Sequence, residues 1–269
     1  DNKRISLRFG AVTFTAKVWL NGEFIGENYD AFLPFEFDIT EKIKKDDLNT
    51  LVVAVKGLPE GIETKAVGQG DFYEFAGIHR SVHICITDVK YIKDITMNTD
   101  LEESSGVVNI EAFVSGGDEI VFEMGNVRKS ISVNEEKTYV SLRIPDVQAW
   151  SPANPHLYNL KVRLLEAGRE KDLYSIPVGI RTVEVKNRHI YLNGKKIFLN
   201  GFGKHEDFPL IGRGKADFVN ICDFNLMKWC GANSFRTTHY PYSEEILSLA
   251  DKVGFVVIDE TPFVSFTQP

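Results

Sequence analysis

The sequence predicts a chain that is all-β through residue 184 and α/β from there to its end. Three observations carry that division. Short runs of apolar residues recur with a period of two, which is the mark of half-buried strands. Asn-Gly pairs stand between such runs at Asn21-Gly22 and Asn193-Gly194. From Lys215 onward the apolar period becomes helical, and the helical stretches alternate with short apolar runs.

The first strands are explicit. Phe14, Ala16, Val18 and Leu20 alternate with Thr13, Thr15, Lys17 and Trp19, and Asn21-Gly22 follows at once. Both central positions of a type I′ turn need positive φ, so Asn-Gly between two such runs predicts a hairpin into Glu23-Phe24-Ile25. Leu51–Val55 reads as another strand. A glycine-rich stretch then runs from Gly57 to Gly77. A loop of that length in a compact domain is usually functional or disordered.

A second β block begins near Val89. Val108, Ile110, Ala112 and Val114 alternate with outward positions, as do Leu160, Val162 and Leu164. Regular short strands with turn residues between them predict a sandwich of about 100 residues. No Cys…Trp…Cys pattern is present, so the shape is immunoglobulin-like without the disulfide. Trp150-Ser151-Pro152 and Asn154-Pro155 punctuate the block before its last strands.

In the tail, Ile190–Leu192, Asn193-Gly194 and Lys195–Leu199 predict a hairpin leading into a buried strand. Phe218, Ile221, Cys222, Leu226 and Trp229 form an apolar stripe over Lys215–Cys230, with Gly231 as the C′ glycine. Asn233–Thr237 is a short strand. Ser243 is an N-cap followed by Glu244 and Glu245. Ile246, Leu249, Ala250 and Val253 give a second stripe, and Val256–Ile258 is an apolar run of the buried parallel kind. This β-α-β-α-β order opens either a dinucleotide-binding sheet or a (β/α)₈ barrel. The first option wants Gly-x-Gly-x-x-Gly. Here Gly201 and Gly203 are followed by Glu206 in place of the third glycine, and charge crowds where phosphates would sit.

Composition excludes several classes. Hydrophobic residues make up 43% of 269, enough for sizeable cores, and the length alone suggests about two domains. A net charge of −7 argues against a nucleic-acid partner, which would need basic clusters. No run of 18 apolar residues predicts a membrane span. No apolar signal segment follows Asp1-Asn2-Lys3-Arg4. Cys85, Cys222 and Cys230 fit no metal spacing, and Cys222 and Cys230 lie two helical turns apart, beyond disulfide reach. All three are expected to be buried thiols, which points to a reducing, cytoplasmic setting.

Ionisable residues follow each tail strand at the same end: Lys204, His205, Glu206 and Asp207, then Arg236, His239 and Tyr240, then Asp259 and Glu260. A barrel places its active site at those C-terminal ends. Phe235-Arg236-Thr237-Thr238-His239-Tyr240-Pro241 and Val256-Val257-Ile258-Asp259-Glu260-Thr261 resemble the second and third barrel strands of glycoside hydrolase family 2. Asn200-Gly201-Phe202-Gly203-Lys204-His205-Glu206-Asp207 is similar to its first, and the Lys-His-Glu-Asp run is most like its β-glucuronidases. Gly70-Asp71-Phe72-Tyr73-Glu74-Phe75-Ala76-Gly77-Ile78-His79-Arg80 resembles the segment closing the family's sugar-binding sandwich. Trp150-Ser151-Pro152, Pro155 and Leu157-Tyr158 resemble its immunoglobulin-like domain.

The resemblance implies three domains: a jelly-roll-like sugar-binding sandwich over 1–88, lacking its beginning, an immunoglobulin-like sandwich over 89–184, and over 185–269 the first three strands of a TIM barrel. It implies a retaining hydrolase of β-D-glucuronides that works by two-glutamate double displacement. Those glutamates belong to the fourth and seventh barrel strands. A whole barrel takes about 250 residues, so they are expected beyond residue 269, and this segment alone is expected to be inactive. Asp71, His239, Arg236 and His205 are the substrate-site residues that carry over. Asp71 would take sugar hydroxyl bonds from a sandwich loop. Arg236 would lie beside the nucleophile and help keep it ionised. His239 would contact the sugar, with His205 nearby. Glu260 would support as a charge or hydrogen-bond partner, and His79 and Arg80 would tie their loop to its own strand. No cofactor or metal is required. The implied partner is a carbohydrate, with no nucleic acid or membrane, and the complete protein is free to form a homo-oligomer. A β-galactosidase is the nearest alternative. A non-catalytic carbohydrate-binding sandwich is the alternative from another class, and the ordered polar strand ends of the tail speak against it.

Overall fold

The computed structural model describes residues 3–57 and 75–262. They form two compact units. One comprises Thr87–Leu199 with Asp251–Phe255, and the other joins Arg4–Ile86 to Asn200–Ala250 and the residues from Val256 on.

The first unit is the immunoglobulin-like sandwich. One sheet orders Lys137–Ile144, Ser105–Val114 and Ile92–Glu102. The other orders Val127–Ser132, Glu119–Met124, Tyr158–Glu166 and Arg169–Val178, and the ladders are antiparallel. The alternation decides which faces meet. Val108, Ile110, Ala112 and Val114 of one sheet and Leu160, Val162 and Leu164 of the other are fully buried in a single core. Each valine, leucine and isoleucine among them contributes about 1.5–3 kcal/mol relative to exposure. Trp150 closes one end without a disulfide. Its ring stacks under Arg181 at 4.8 Å, and its Nε1 donates to the Asp251 carbonyl at 2.8 Å.

In the second unit, Thr15–Leu20 pairs with Glu23–Asn28 and Leu51–Lys56, while Lys3–Phe9 lies between Phe35–Asp38 and Val82–Asp88. Asn21 and Gly22 take φ of 55° and 85°, as the hairpin requires. Ile5, Leu7, Phe9, Ala16, Val18 and Leu20 pack into one core.

The same unit holds three parallel strands, Gly201–Lys204, Ser234–Thr237 and Val256–Ile258, paired in that order. Helix α1 (Asp217–Trp229) connects the first two and α2 (Glu244–Val253) the last two. This is the opening of a (β/α)₈ barrel. Gly201 belongs to strand packing, because a Cβ there would meet the Ser234 carbonyl oxygen at 2.0 Å. Gly231 ends α1 with a φ of 78°, and the bonds Gly231 N–H to Lys228 O and Ala232 N–H to Met227 O make a Schellman cap.

Four expectations are corrected. The stripe Phe218, Ile221, Leu226 and Trp229 is the exposed side of α1, with Trp229 at 85%, while Asn220, Phe224 and Met227 face inward. The helix carries apolar residues on two opposite sides, and Phe224 wins because it meets Phe235 of the sheet edge-on at 5.4 Å. Cys222 and Cys230 are exposed and Cys85 is half-buried, all three as free thiols, so burial gives no support to a compartment. Val256–Ile258 is only half-covered, because it is one of the two edge strands of its sheet among the described residues. Lys195–Ile197 is the outer strand of a small antiparallel sheet with His189–Leu192 and Val183–Lys186. It is not buried: Lys195 and Lys196 point to opposite faces of this outer strand, and both are exposed.

Candidate functional site

The chemistry-bearing residues gather at the C-terminal ends of the three parallel strands. His205 follows the first, Arg236 and His239 lie within and after the second, and Glu260 follows the third. Arg236 Nη1 donates to Glu260 Oε1 at 2.6 Å, and His239 Nδ1 lies 3.3 Å from Glu260 Oε2. The rings of His205 and His239 meet edge-on at 5.5 Å. One carboxylate thus holds a guanidinium and an imidazole side by side. Glu260 is fixed in turn by the strand beside it: its N–H donates to Thr237 Oγ1 at 2.8 Å, and that hydroxyl donates to Asp259 Oδ1 at 2.8 Å. The structure therefore brings His205, Arg236 and His239 to one mouth. Asp71 lies outside the described residues.

Behind this mouth is a second cluster. Glu206 is buried and pairs with Arg80 at 3.3 Å, and its N–H donates to the Tyr240 hydroxyl at 3.2 Å. Tyr240 stacks on Phe32 at 4.7 Å and 10°, and the Arg213 guanidinium lies 4.3 Å from the Tyr240 ring and 5.3 Å from that of Phe32. Arg213 also faces Asp207 at 3.7 Å. Burial pushes the Glu206 carboxyl up, while Arg80 and Arg213 pull it back. Burial, with the same two cations, drives His79 down to about 3, so the ring is neutral and sits 3.1 Å from Thr13 Oγ1. Burial pushes Tyr240 up to about 12. His79 does tie its loop to a neighbouring strand of the sandwich. Arg80 does not stay local: it reaches Phe32 O, Pro241 O and Glu206.

Sequence reading missed Phe32 and Arg213 and misplaced Lys204. Lys204 points inward, pairing with Asp223 of α1 at 2.7 Å. Phe32-Leu33-Pro34 and Gly212-Arg213-Gly214 read as ordinary loops, and nothing local marks either as a partner of Tyr240. A cavity of about 240 Å³ adjoins this second cluster, lined in part by Arg8, Phe32, Arg80, His83 and Glu244, and it includes none of His205, Arg236 and His239.

Three family models tile the chain: the sugar binding domain of glycosyl hydrolases family 2 over residues 1–88, a further family 2 domain over 90–181, and the family 2 TIM barrel domain over 183–269. The chain belongs to glycosyl hydrolase family 2. Its relatives include a β-glucuronidase of Paenibacillus borealis, 37% identical over 98% of this chain and 48% of that protein. The β-glucuronidase of Sus scrofa is also 37% identical, over 97% and 45%. Among solved structures, a β-glucuronidase from Ruminococcus gnavus in complex with D-glucuronic acid superposes with a TM-score of 0.85 at 30% identity, over 97% of this chain and 48% of that one. A β-D-glucuronidase of Dictyoglomus thermophilum gives 0.84 at 34% over the same shares. This family 2 chain spans about half the length of the curated relatives it matches.

Proposed function

We propose that the complete protein is a retaining glycoside hydrolase that releases glucuronate and an aglycone from β-D-glucuronides. The observation that carries this reading is the convergence of His205, Arg236, His239 and Glu260 on one mouth at the ends of three parallel strands. The relatives sharing this arrangement of domains are named β-glucuronidases, and one solved structure holds D-glucuronic acid. Double displacement needs two carboxyl groups about 5–5.5 Å apart and no cofactor. The two glutamates are assigned to the fourth and seventh barrel strands, outside the three described here. This segment then contributes the sugar's surroundings. His239 and His205 line the mouth, Asp71 accepts a hydroxyl bond, and Arg236, held by Glu260, places a cation where a nucleophilic carboxylate must stay ionised.

The test is turnover of 4-nitrophenyl β-D-glucuronide and β-D-galactoside by the complete protein, with the 269-residue chain as control. The glucuronide is expected to be favoured by at least about a hundredfold, since burying its carboxylate in a matched site is worth several kcal/mol. The first-formed sugar should be the β-anomer by NMR, and the short chain should be silent. No turnover of the glucuronide by the complete protein would refute the proposal. A preference for the galactoside would replace the substrate.

A further inference from the structure

Arg80 comes from the N-terminal sandwich, yet its guanidinium binds both loops of the barrel mouth. Nη1 donates to the Phe32 carbonyl at 2.6 Å. Nη2 donates to the Pro241 carbonyl at 2.7 Å and to the Glu206 carboxylate at 3.3 Å. Both side chains of the pair are more than nine-tenths buried. Glu206 directly follows His205, and Pro241 lies two residues beyond His239. One planar fork therefore ties the loop after the first strand to the loop after the second. Lysine has no such planar geometry and cannot reproduce it.

We propose that Arg80 is a positioning residue: from the sandwich it fixes the two loops against each other and so sets the spacing of His205 and His239. Charge pairing alone does not account for the arrangement. A buried ion pair is often replaceable by neutral groups of similar volume without loss of stability. Of its three bonds, one anchors Arg80 to the Phe32 carbonyl of its own sandwich, and one goes to the Pro241 carbonyl of the second barrel loop, a neutral acceptor whose position matters only if the loops must keep register.

The kinetic part of the test rests on the glucuronidase reading, so a second readout is independent of it. The complete protein is compared with Arg80→Lys and with the double variant Arg80→Met/Glu206→Gln, which removes both charges. The imidazole NMR signals of ¹³C-labelled His205 and His239 are followed without substrate, alongside Tm and aryl β-glucuronide turnover. The double variant is expected to stay folded, with a Tm lowered by the loss of the donors to Phe32 O and Pro241 O. In both variants the two histidine signals should shift and kcat/KM should fall at least about tenfold, by displacement of positioned groups. Unchanged histidine signals in both variants would overturn the proposal. So would a double variant with parental signals and turnover, which would reduce Arg80 to a charge partner. If the parent itself turns over no glucuronide, the functional reading fails and the histidine signals alone decide on Arg80.

Discussion

Thr237→Val is the sharpest local perturbation of the mouth. Thr237 is fully buried, and its hydroxyl accepts from the Glu260 N–H and donates to Asp259 Oδ1, each at 2.8 Å. Valine keeps the shape and deletes both bonds. Losing the bond to a carboxylate costs about 1.5–3 kcal/mol, but Asp259 is exposed and can turn to water, so little of this remains. The stranded Glu260 N–H costs about 1–3 kcal/mol. The added methyl returns about 0.8 kcal/mol. The net is about 1–2 kcal/mol, confined to the segment that carries Glu260. Because the chain has more than one unit, global unfolding is a poor gauge. The assay is hydrogen exchange of the Val256–Glu260 peptide in the complete protein. Its protection is expected to fall about tenfold. Turnover should fall with it, since Glu260 holds Arg236 and His239, and Thr237→Ser should restore both. Undiminished protection and turnover in Thr237→Val would refute the idea that this hydroxyl holds the third strand's carboxylate in place.

Asp71→Ala in the complete protein is expected to lower kcat/KM ten- to a hundredfold, equivalent to about 1.5–3 kcal/mol for a lost charged hydrogen bond, and unchanged kcat/KM would make Asp71 an ordinary turn residue. His79, at about 3 when folded against 6.5 in a free chain, binds a proton less readily folded than unfolded. Its contribution, at most about 5 kcal/mol, is therefore complete above about pH 6.5 and is lost as pH falls toward 3. Glu206, pushed up by burial, acts in the opposite sense, so the check is the difference in Tm between parent and His79→Asn, which should narrow from pH 7 to pH 4. The 269-residue chain is expected to associate, because Phe218, Ile221, Leu226 and Trp229 are exposed along α1 and Val256–Ile258 has a free edge among the described residues. Size-exclusion chromatography over a concentration series checks this, and a concentration-independent monomer would contradict it.

The sequence made the local periodicities legible. Val108–Val114, Leu160–Leu164 and the Asn21-Gly22 hairpin follow from alternation and turn chemistry within a few residues. The α1 cap at Gly231 follows in the same way. The common end of the strands was legible because a parallel β-α-β-α-β order leaves no other place for residues that follow each strand. What escaped was decided at long range. The inward side of α1 depends on which stripe meets Phe235, and Asn220 on the winning side argued against it. Arg80 meets Glu206 across 126 residues of sequence. The stacking of Phe32, Tyr240 and Arg213 likewise joins three separate loops, and those of Phe32 and Arg213 carry no motif of their own.

The central claim is that the ends of these three strands form part of a glucuronide site. It is tested most directly by a crystal structure of the complete protein with D-glucuronate. The account predicts sugar density at the mouth, with His239 within hydrogen-bond distance of a hydroxyl, the Asp71 carboxylate accepting another, and Arg236 still paired with Glu260 beside a further carboxylate. Sugar bound elsewhere, with His205, Arg236 and His239 all more than about 6 Å from it and so beyond hydrogen-bond reach even through one water, would contradict the account.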